Sequence, residues 1–540
     1  MMQPFSSTSI DNLPNELLLP ILKECITPPL FSICKRWQEL GAIEILPSLY
    51  KKIAAMHVIN GNEKLRARLL DKIYQLDSKL AASEKVDRIF KQVFTLAKSL
   101  SPLEFKNKTE EKRYLTLANY SSYLLNINRL LIWKRIPGGK EYLAQEEVKL
   151  LSLEEKGKLF SQWIESYGKG IKGLDLSRLG LTYLPPEIGM FSALVSLNLS
   201  YNQLTFLSKE IGQLTQLEGF YLSRNRLTLV AGEIGQLSHL RTLDLSDNLI
   251  SWLPLEIGKL FKLVNLYLNL NRLNSLPSEI GQLFLLKNFN LSQNCLKSLP
   301  AEIGQLTHLE AFHLSQNSLT SLPKEIAQLS RLQKLDLSQN QLNSLPLELG
   351  KLFRLEWLCL NHNRLDVLPI EIGQLTQLQR LDLSKNRLKS LPIEIGQLAR
   401  LRTLNLSRNQ LTSLPAEIGQ LTQLYGLNLN QNHFATLPEQ LWLLTQLEEL
   451  CLSQNKLVSL PAEIDQLNQL EELYLSQNFL ICLPPNIGNL PKLKWLHLDY
   501  NQLNSLPVEI EKLSPSLYEL NLTGNPFKTI PEKIRQHFQP

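Results

Sequence analysis

The chain has 540 residues, 44% of them apolar, 20% charged and 7% aromatic, which excludes a disordered or collagen-like polymer. Its 57 Lys and Arg against 51 Asp and Glu leave a net charge of +6, too small a surplus over this length to indicate nucleic acid. No stretch approaches the ~18 unbroken apolar residues of a membrane span, and the start, Met1 to Asn12, is Ser/Thr-rich without the basic lead of a Sec signal peptide. The six cysteines, Cys25, Cys34, Cys295, Cys359, Cys451 and Cys482, form no CxxC pair and no cluster, a usage that fits a reducing, cytoplasmic compartment. Residues 1–170 hold 26 basic and 19 acidic side chains and residues 171–540 hold 31 and 32, so two regions of different physics meet near residue 170.

The first motif, Leu13 to Leu40, reads LPNELLLPILKECITPPLFSICKRWQEL. Leu-Pro starts a helix whose apolar face is Leu17, Leu18, Ile21 and Leu22, and Cys34 and Trp37 belong to a later helix that packs on it. Leu13-Pro14, Glu16-Leu17, Ile21-Leu22, Cys34-Lys35-Arg36-Trp37 and Leu40 agree in order with an F-box, which residues 11–45 resemble. The segment between Leu22 and Cys34 is shorter than in the usual motif, and Pro28-Pro29 falls where a middle helix should pass. The resemblance implies a partner, an Skp-family adaptor of cullin–RING ubiquitin ligases, bound by Leu13, Pro14, Leu17, Ile21, Leu22 and Trp37. The other reading is a small helical subdomain with a chance match.

Residues 46–150 read as an α-helical spacer. Leu65, Leu69, Ile73, Leu76 and Leu80 recur at steps of four and three, as do Val86, Phe90, Val93, Ala97 and Leu100, and a third helix is expected from Glu110 to Trp133, ended by Ile136-Pro137-Gly138-Gly139. Residues 51–150 hold 20 basic and 11 acidic side chains, interspersed as on solvated helix faces. Ser152 and Glu155 form a capping box, and the helix they open presents Leu159, Phe160, Trp163, Ile164 and Tyr167 and stops at Gly168. Standing before the first repeat, residues 151–170 read as the cap of a solenoid.

From Leu194 one pattern recurs every 23 residues, as in LVSLNLSYNQLTFLSKEIGQLTQ and LRTLNLSRNQLTSLPAEIGQLTQ. An Asn marks it at each step from Asn202 to Asn501; Asn525 follows after 24, and a first copy from Ile171 carries Leu179 in its place, giving sixteen copies over 171–531 and a tail at 532–540. Leu197 and Leu199 alternate with Ser196 and Asn198, the period of a strand with one face buried. No single copy can bury its own apolar groups, so stacked copies must share a core, with the strands in one parallel sheet. Pro precedes the acidic return segment in fourteen copies, the exceptions being Ser208 and Ala231, and predicts short helical turns on the opposite side. The unit resembles the leucine-rich repeat, LxxLxLxxNxL, of the Ras-group intracellular type. The resemblance implies an α/β solenoid, a horseshoe with its sheet on the concave face, that binds proteins.

Variable outward positions of the strands would carry recognition. Lys334, Trp357, His362 and Arg380 form one candidate cluster in adjacent copies, and Tyr474, Trp495, His497 and Tyr500 another, with the Trp, Tyr and Arg chemistry of interface hot spots. Cross-strand packing alone is the competing account of such aromatics. Candidate metal pairs such as His313 with His362 stand two copies apart, ~10 Å, too far for shared ligation, and neither a metal nor a cofactor is expected. No P-loop, HExxH, GxSxG or kinase set occurs. The layout of adaptor motif, helical spacer and repeat array reads as the substrate receptor of a ubiquitin ligase, resembling F-box effectors of intracellular bacteria. Its partners would be the adaptor and a protein target, not nucleic acid or membrane. The chain would act as a monomer in the cytoplasm of its own cell or, by a non-Sec route, of a host. A signalling scaffold without a ubiquitin role is the alternative.

Overall fold

The computed structural model describes residues 35–105 and 117–537, with the backbone alone for residues 117–119 and His537. Leu13, Pro14, Leu17, Ile21 and Leu22 lie outside the described residues. The chain divides into two units, Met1–Leu260 and Phe261–Pro540.

In the first unit, α1 (Lys35–Leu40) runs through a π turn at Gly41–Ile45 into α2 (Leu46–His57). Trp37, Leu40, Ile45, Leu49 and Ile53 are its buried side. Asn62 caps α3 (Glu63–Ile73), its Oδ1 accepting the Leu65 N–H at 2.9 Å. The apolar spacing predicts a helix on to Leu80, but α3 ends at Ile73 because Gln75 takes a left-handed backbone (φ 51°) that folds Leu76 back into the core. Val86, Phe90, Val93, Ala97 and Leu100 are all buried on α4 (Ala82–Leu100), as their spacing predicts. After α5 (Leu117–Trp133) and two short turns, α6 (Gly139–Leu143) and α7 (Glu146–Lys149), the capping box forms at the start of α8 (Leu153–Trp163). Ser152 Oγ accepts from the Glu155 N–H at 3.2 Å, and Glu155 Oε2 accepts from the Ser152 N–H at 2.7 Å. Phe160, Trp163 and Ile164 are buried as expected, whereas Tyr167 projects into solvent and Gly157 is buried. A Cβ at Gly157 would fall 2.0 Å from Asn126 Oδ1, so this glycine lets α8 cross α5 closely.

These helices grip the first copies of the repeat. The π turn Ile164–Gly168 packs on the turn Pro186–Met190. Asn128 Oδ1 accepts from the Thr182 N–H at 3.2 Å, and Arg129 pairs with Glu187 at 2.5 Å with both side chains largely shielded. Thr205 Oγ1 donates to the His57 carbonyl, and Arg226 donates to the Lys72 carbonyl at 3.0 Å. The first three copies are thereby tied to α2, α3 and α5, at the strand exits through Thr182, Thr205 and Arg226 and at the first return turn through Glu187.

The strands are three residues long and parallel, and successive copies pair in chain order: β1 (Gly173–Asp175) to β4 (Thr242–Asp244) in the first unit and β5 (Asn265–Tyr267) to β16 (Glu519–Asn521) in the second. The register follows the sequence repeat, with Leu381 beside Leu358 and Leu404. The middle residue of each strand points into the core, where Leu197, Leu266 and Leu496 have no exposed surface and Phe289 stacks on Phe312 at 5.5 Å. Five-residue 3₁₀ turns return the chain on the other side, as in Ala301–Gln305. This is the α/β solenoid with a helical N-terminal region that the periodicity predicts.

Three devices of the copy follow from backbone accounting. The first is the Asn ladder. Asn317 Oδ1 accepts from the Leu296 N–H, and its Nδ2 donates to Leu291 O of the preceding copy and Leu314 O of its own. The same pattern holds from Asn202 to Asn248 and from Asn294 to Asn525. Each Asn thus serves the copy before it, and the first copy, with Leu179, has no copy before it to serve. The second device is a left-handed residue just before the Asn position, with φ from 52° to 74° between Arg178 and Gly524. Only Gly524 is glycine among these, and no β-branched residue occurs there.

The third device is the Pro before each turn, which is the cap residue rather than the first residue of the helical turn, with φ near −68° and ψ near 150°. Ser208 (φ −68°, ψ 148°) and Ala231 (φ −70°, ψ 147°) already hold this geometry. Ser208 also buries a hydroxyl without a hydrogen-bond partner. Ser208→Pro and Ala231→Pro are each expected to stabilise the first unit by about 0.4–1 kcal/mol through the entropy of the unfolded chain. A lower urea midpoint in either variant would show that these sites do not share the geometry of the other copies.

Candidate protein-binding face

The first and third residues of each strand face away from the core, as the alternation predicts. Among the expected site residues, Lys334, Trp357 and Arg380 stand side by side on β8 (Lys334–Asp336), β9 (Trp357–Cys359) and β10 (Arg380–Asp382). The Arg380 guanidinium lies over the Trp357 ring at 5.8 Å. His362 is not on the strand but in the left-handed row at the strand exit, where its Nε2 meets Lys385 Nζ at 2.5 Å. Desolvation first, then Lys385 and Arg408, lower its pKa and favour a neutral ring that accepts from the ammonium.

The second cluster divides in the same way. Tyr474 and His497, third residues of β14 (Glu472–Tyr474) and β15 (Trp495–His497), have ring centroids 4.9 Å apart. Tyr474 Oη donates to Glu472 Oε2 at 2.7 Å, and burial together with this bond pushes the phenol's pKa up. His497 Nε2 is 3.5 Å from Glu519. Trp495 packs edge-on against Tyr518 at 5.6 Å, a neighbour the sequence reading did not name. Tyr500 is exposed in the left-handed row, apart from the strand face. Trp37 is buried within the helical region, 5% exposed, so in this arrangement its ring is a packing residue.

Between the clusters lies a trough of about 270 Å³ whose floor is Thr403, Asn405, Gly426 and Asn428 and whose walls are Arg380 and Glu449. Lys385, Gly426, Glu449 and Glu472 are the residues a search for aromatic hot spots passes over. Their signal was in the same register rows, read for charge and size.

Two thiols are withdrawn from chemistry. Burial first, then Asp336 and Asp382, pushes the Cys359 pKa up to about 12, and Cys451 is likewise buried and raised. Among the described residues no three His, Cys, Asp or Glu side chains come together as a metal site, and no helix is long and apolar enough to cross a membrane.

Two leucine-rich repeat profiles match the chain, a leucine-rich repeat region at residues 226–313 and 393–482 and a leucine rich repeat at 192–250, 307–365 and 353–411. A leucine-rich repeat protein of Leptospira interrogans is 44% identical in sequence, with a TM-score of 0.65, over 70% of this chain and 96% of that one. The chain belongs to the leucine-rich repeat proteins. This leucine-rich repeat protein is also similar to the plant peptide hormone receptor RGFR1 in complex with RGF2, at 30% identity and a TM-score of 0.56, over 68% of this chain and 65% of that one. InlJ of Listeria monocytogenes shares the fold alone, at 22% identity and a TM-score of 0.53, over 64% and 72% of the two chains. No curated protein is significantly similar to it in sequence. As a leucine-rich repeat array, the repeat region is a protein-interaction module.

Proposed function

We propose that the chain is a substrate receptor of a cullin–RING ubiquitin ligase. Residues 11–45 would hold an Skp-family adaptor, and the sheet face from Lys334 to His497, with His362 and Tyr500 at the strand exits, would hold a protein target. The observation that carries the target half is the row Lys334, Trp357, Arg380, with Trp495 further along, whose side chains project from the sheet while the core is filled by other residues. The similarity to a plant peptide hormone receptor in complex with RGF2 supports a repeat array that takes a peptide. The adaptor half rests on the ordered match of Leu13, Pro14, Leu17, Ile21, Leu22 and Trp37. Of that segment the described part, Lys35–Ile45, runs directly into α2, which with α3 and α5 grips the first three copies. This chain would contribute proximity and no bond chemistry of its own. It would work as a monomer in a cytoplasm.

The test is a pull-down of the full chain by a purified Skp-family adaptor, beside a Leu13→Ala/Pro14→Ala variant of unchanged circular dichroism. Binding by the parent and loss in the variant is the expected result. A parent chain that ignores the adaptor sinks the ligase reading and leaves a non-enzymatic scaffold. The burial of Trp37 is the observation that favours that second reading.

A further inference from the structure

In the row of first strand residues of the second unit, charge is sorted along the array, while Asp336 and Asp382 stand in the other outward row. Lys334 and Arg380 flank Trp357, and Lys385 and Arg408 continue the positive side at the strand exits. None of these four cations is in an ion pair among the described residues. Beyond the trough, Glu449 and Glu472 stand directly opposite one another on neighbouring strands. Like charges in that register are destabilising, and among the described residues their side-chain donors are Cys451 Sγ at 3.1 Å to Glu449 and Tyr474 Oη at 2.7 Å to Glu472. That row therefore gives the trough a positive wall and a negative wall, Arg380 and Glu449, neither in an ion pair among the described residues and three strand steps or ~14 Å apart, with Asp382 in the lining on the Arg380 side.

Gly426, on the floor between them, is not required by the backbone or by crowding. Its φ is not positive, and a Cβ there would meet Thr403 Cγ2 at 3.5 Å and Glu449 Oε2 at 3.9 Å, both ordinary contacts. What the missing side chain does is keep the trough open. Thr403, next to it, is the one side chain between Arg380 and Glu449 in the row of first strand residues, with Asn405 and Asn428 in the other row of the floor.

We propose that this trough binds an extended peptide segment laid across the strands, with a carboxylate side chain on Arg380 and, about four residues away, an ammonium or guanidinium between Glu449 and Glu472. An extended chain advances ~3.4 Å per residue, so four residues match the gap between the walls. The proposal rests on the reading of the sheet face as the partner site and adds the chemistry of what binds there.

The test is fluorescence anisotropy on the full chain with three labelled heptapeptides: Glu-Glu-Gly-Ser-Gly-Lys-Lys, the same frame with four Glu, and the same frame with four Lys. The mixed peptide is expected to bind about ten-fold or more tightly than either uniform one, and to weaken as salt rises. Arg380→Glu and Glu449→Arg should each lower its affinity about ten-fold, and the double variant should restore it, because the peptide can then lie the other way round. Gly426→Leu should abolish binding without moving the unfolding transition. Equal binding of all three peptides that is still lost in Gly426→Leu overturns the charge order and leaves the face as a partner site. Absence of binding, or binding indifferent to both Gly426→Leu and Trp357→Ala, overturns the proposal and counts against the face as well.

Discussion

Asn340→Ala is expected to cost about 3–5 kcal/mol, far more than a surface substitution. The side chain is buried and does three jobs: its Oδ1 accepts from the Leu319 N–H at 3.0 Å, and its Nδ2 donates to Leu314 O at 2.9 Å and Leu337 O at 3.0 Å. Alanine leaves the Leu319 N–H without a partner where water does not reach, at about 1–3 kcal/mol, and takes one of two donors from each carbonyl, Leu314 O keeping Asn317 and Leu337 O keeping Asn363, at about 0.5–1.5 kcal/mol per lost bond. Two of the three bonds belong to the preceding copy, so the loss falls on the interface between copies. In a linear array such a weak joint divides the cooperative unit. The urea transition should broaden or split, and hydrogen exchange should quicken on both sides of residue 340. The nearby exposed change Asn343→Ala should leave the midpoint within about 0.5 kcal/mol of the parent. A loss of less than about 1 kcal/mol in Asn340→Ala would mean that ordered water replaces the ladder.

The second large effect is on pH. His57 ends α2 fully buried, with Nε2 2.6 Å from Tyr120 Oη and 3.1 Å from Tyr74 Oη, while the two phenols are 2.6 Å apart. Burial lowers its pKa from 6.5 to about 4. A neutral imidazole accepts from a tyrosine here, whereas a protonated one would place an unpaired charge in the core. The folded pKa is the lower one, so the unfolded chain takes up the proton first. The stabilisation is therefore whole above pH 6.5 and is lost as pH falls towards 4, by about 3 kcal/mol in total. The first unit of wild type should weaken against a His57→Gln variant across that window, read by hydrogen exchange in α2 and α5. A difference that stays constant from pH 7 to 4.5 would remove His57 as the cause. Because the His57 carbonyl also accepts from Thr205, acid should loosen the helices from the second copy as well.

The fold was legible wherever the information was local and repeated. The strands follow from Leu197 and Leu199 alternating with polar neighbours, and the turns from the Pro-Glu signature, each confirmed by the next copy. The end of α3 was not legible, because Gln75 adopts a left-handed backbone without the glycine that usually announces it. Neither was the docking of the helices: Asn128 to Thr182 spans 54 residues and His57 to Thr205 spans 148, and no periodicity reports such pairs. On the candidate face, the strand row was readable from alternation. The offset of His362 and Tyr500 from that row was not, since it depends on the backbone turn just before each Asn.

The Asn ladder gives the array a direction in time as well as in space. A copy emerging from the ribosome has its strand and core leucines, yet the turn after its strand stays unsatisfied until the Asn of the next copy arrives. The nascent end is thus always the unfinished one, while the finished end starts on Asn128 and Arg129, which are made before any repeat. Synthesis and completion run the same way, so the chain can close behind itself one copy at a time and never has to wait for its last residue before its first copies are whole.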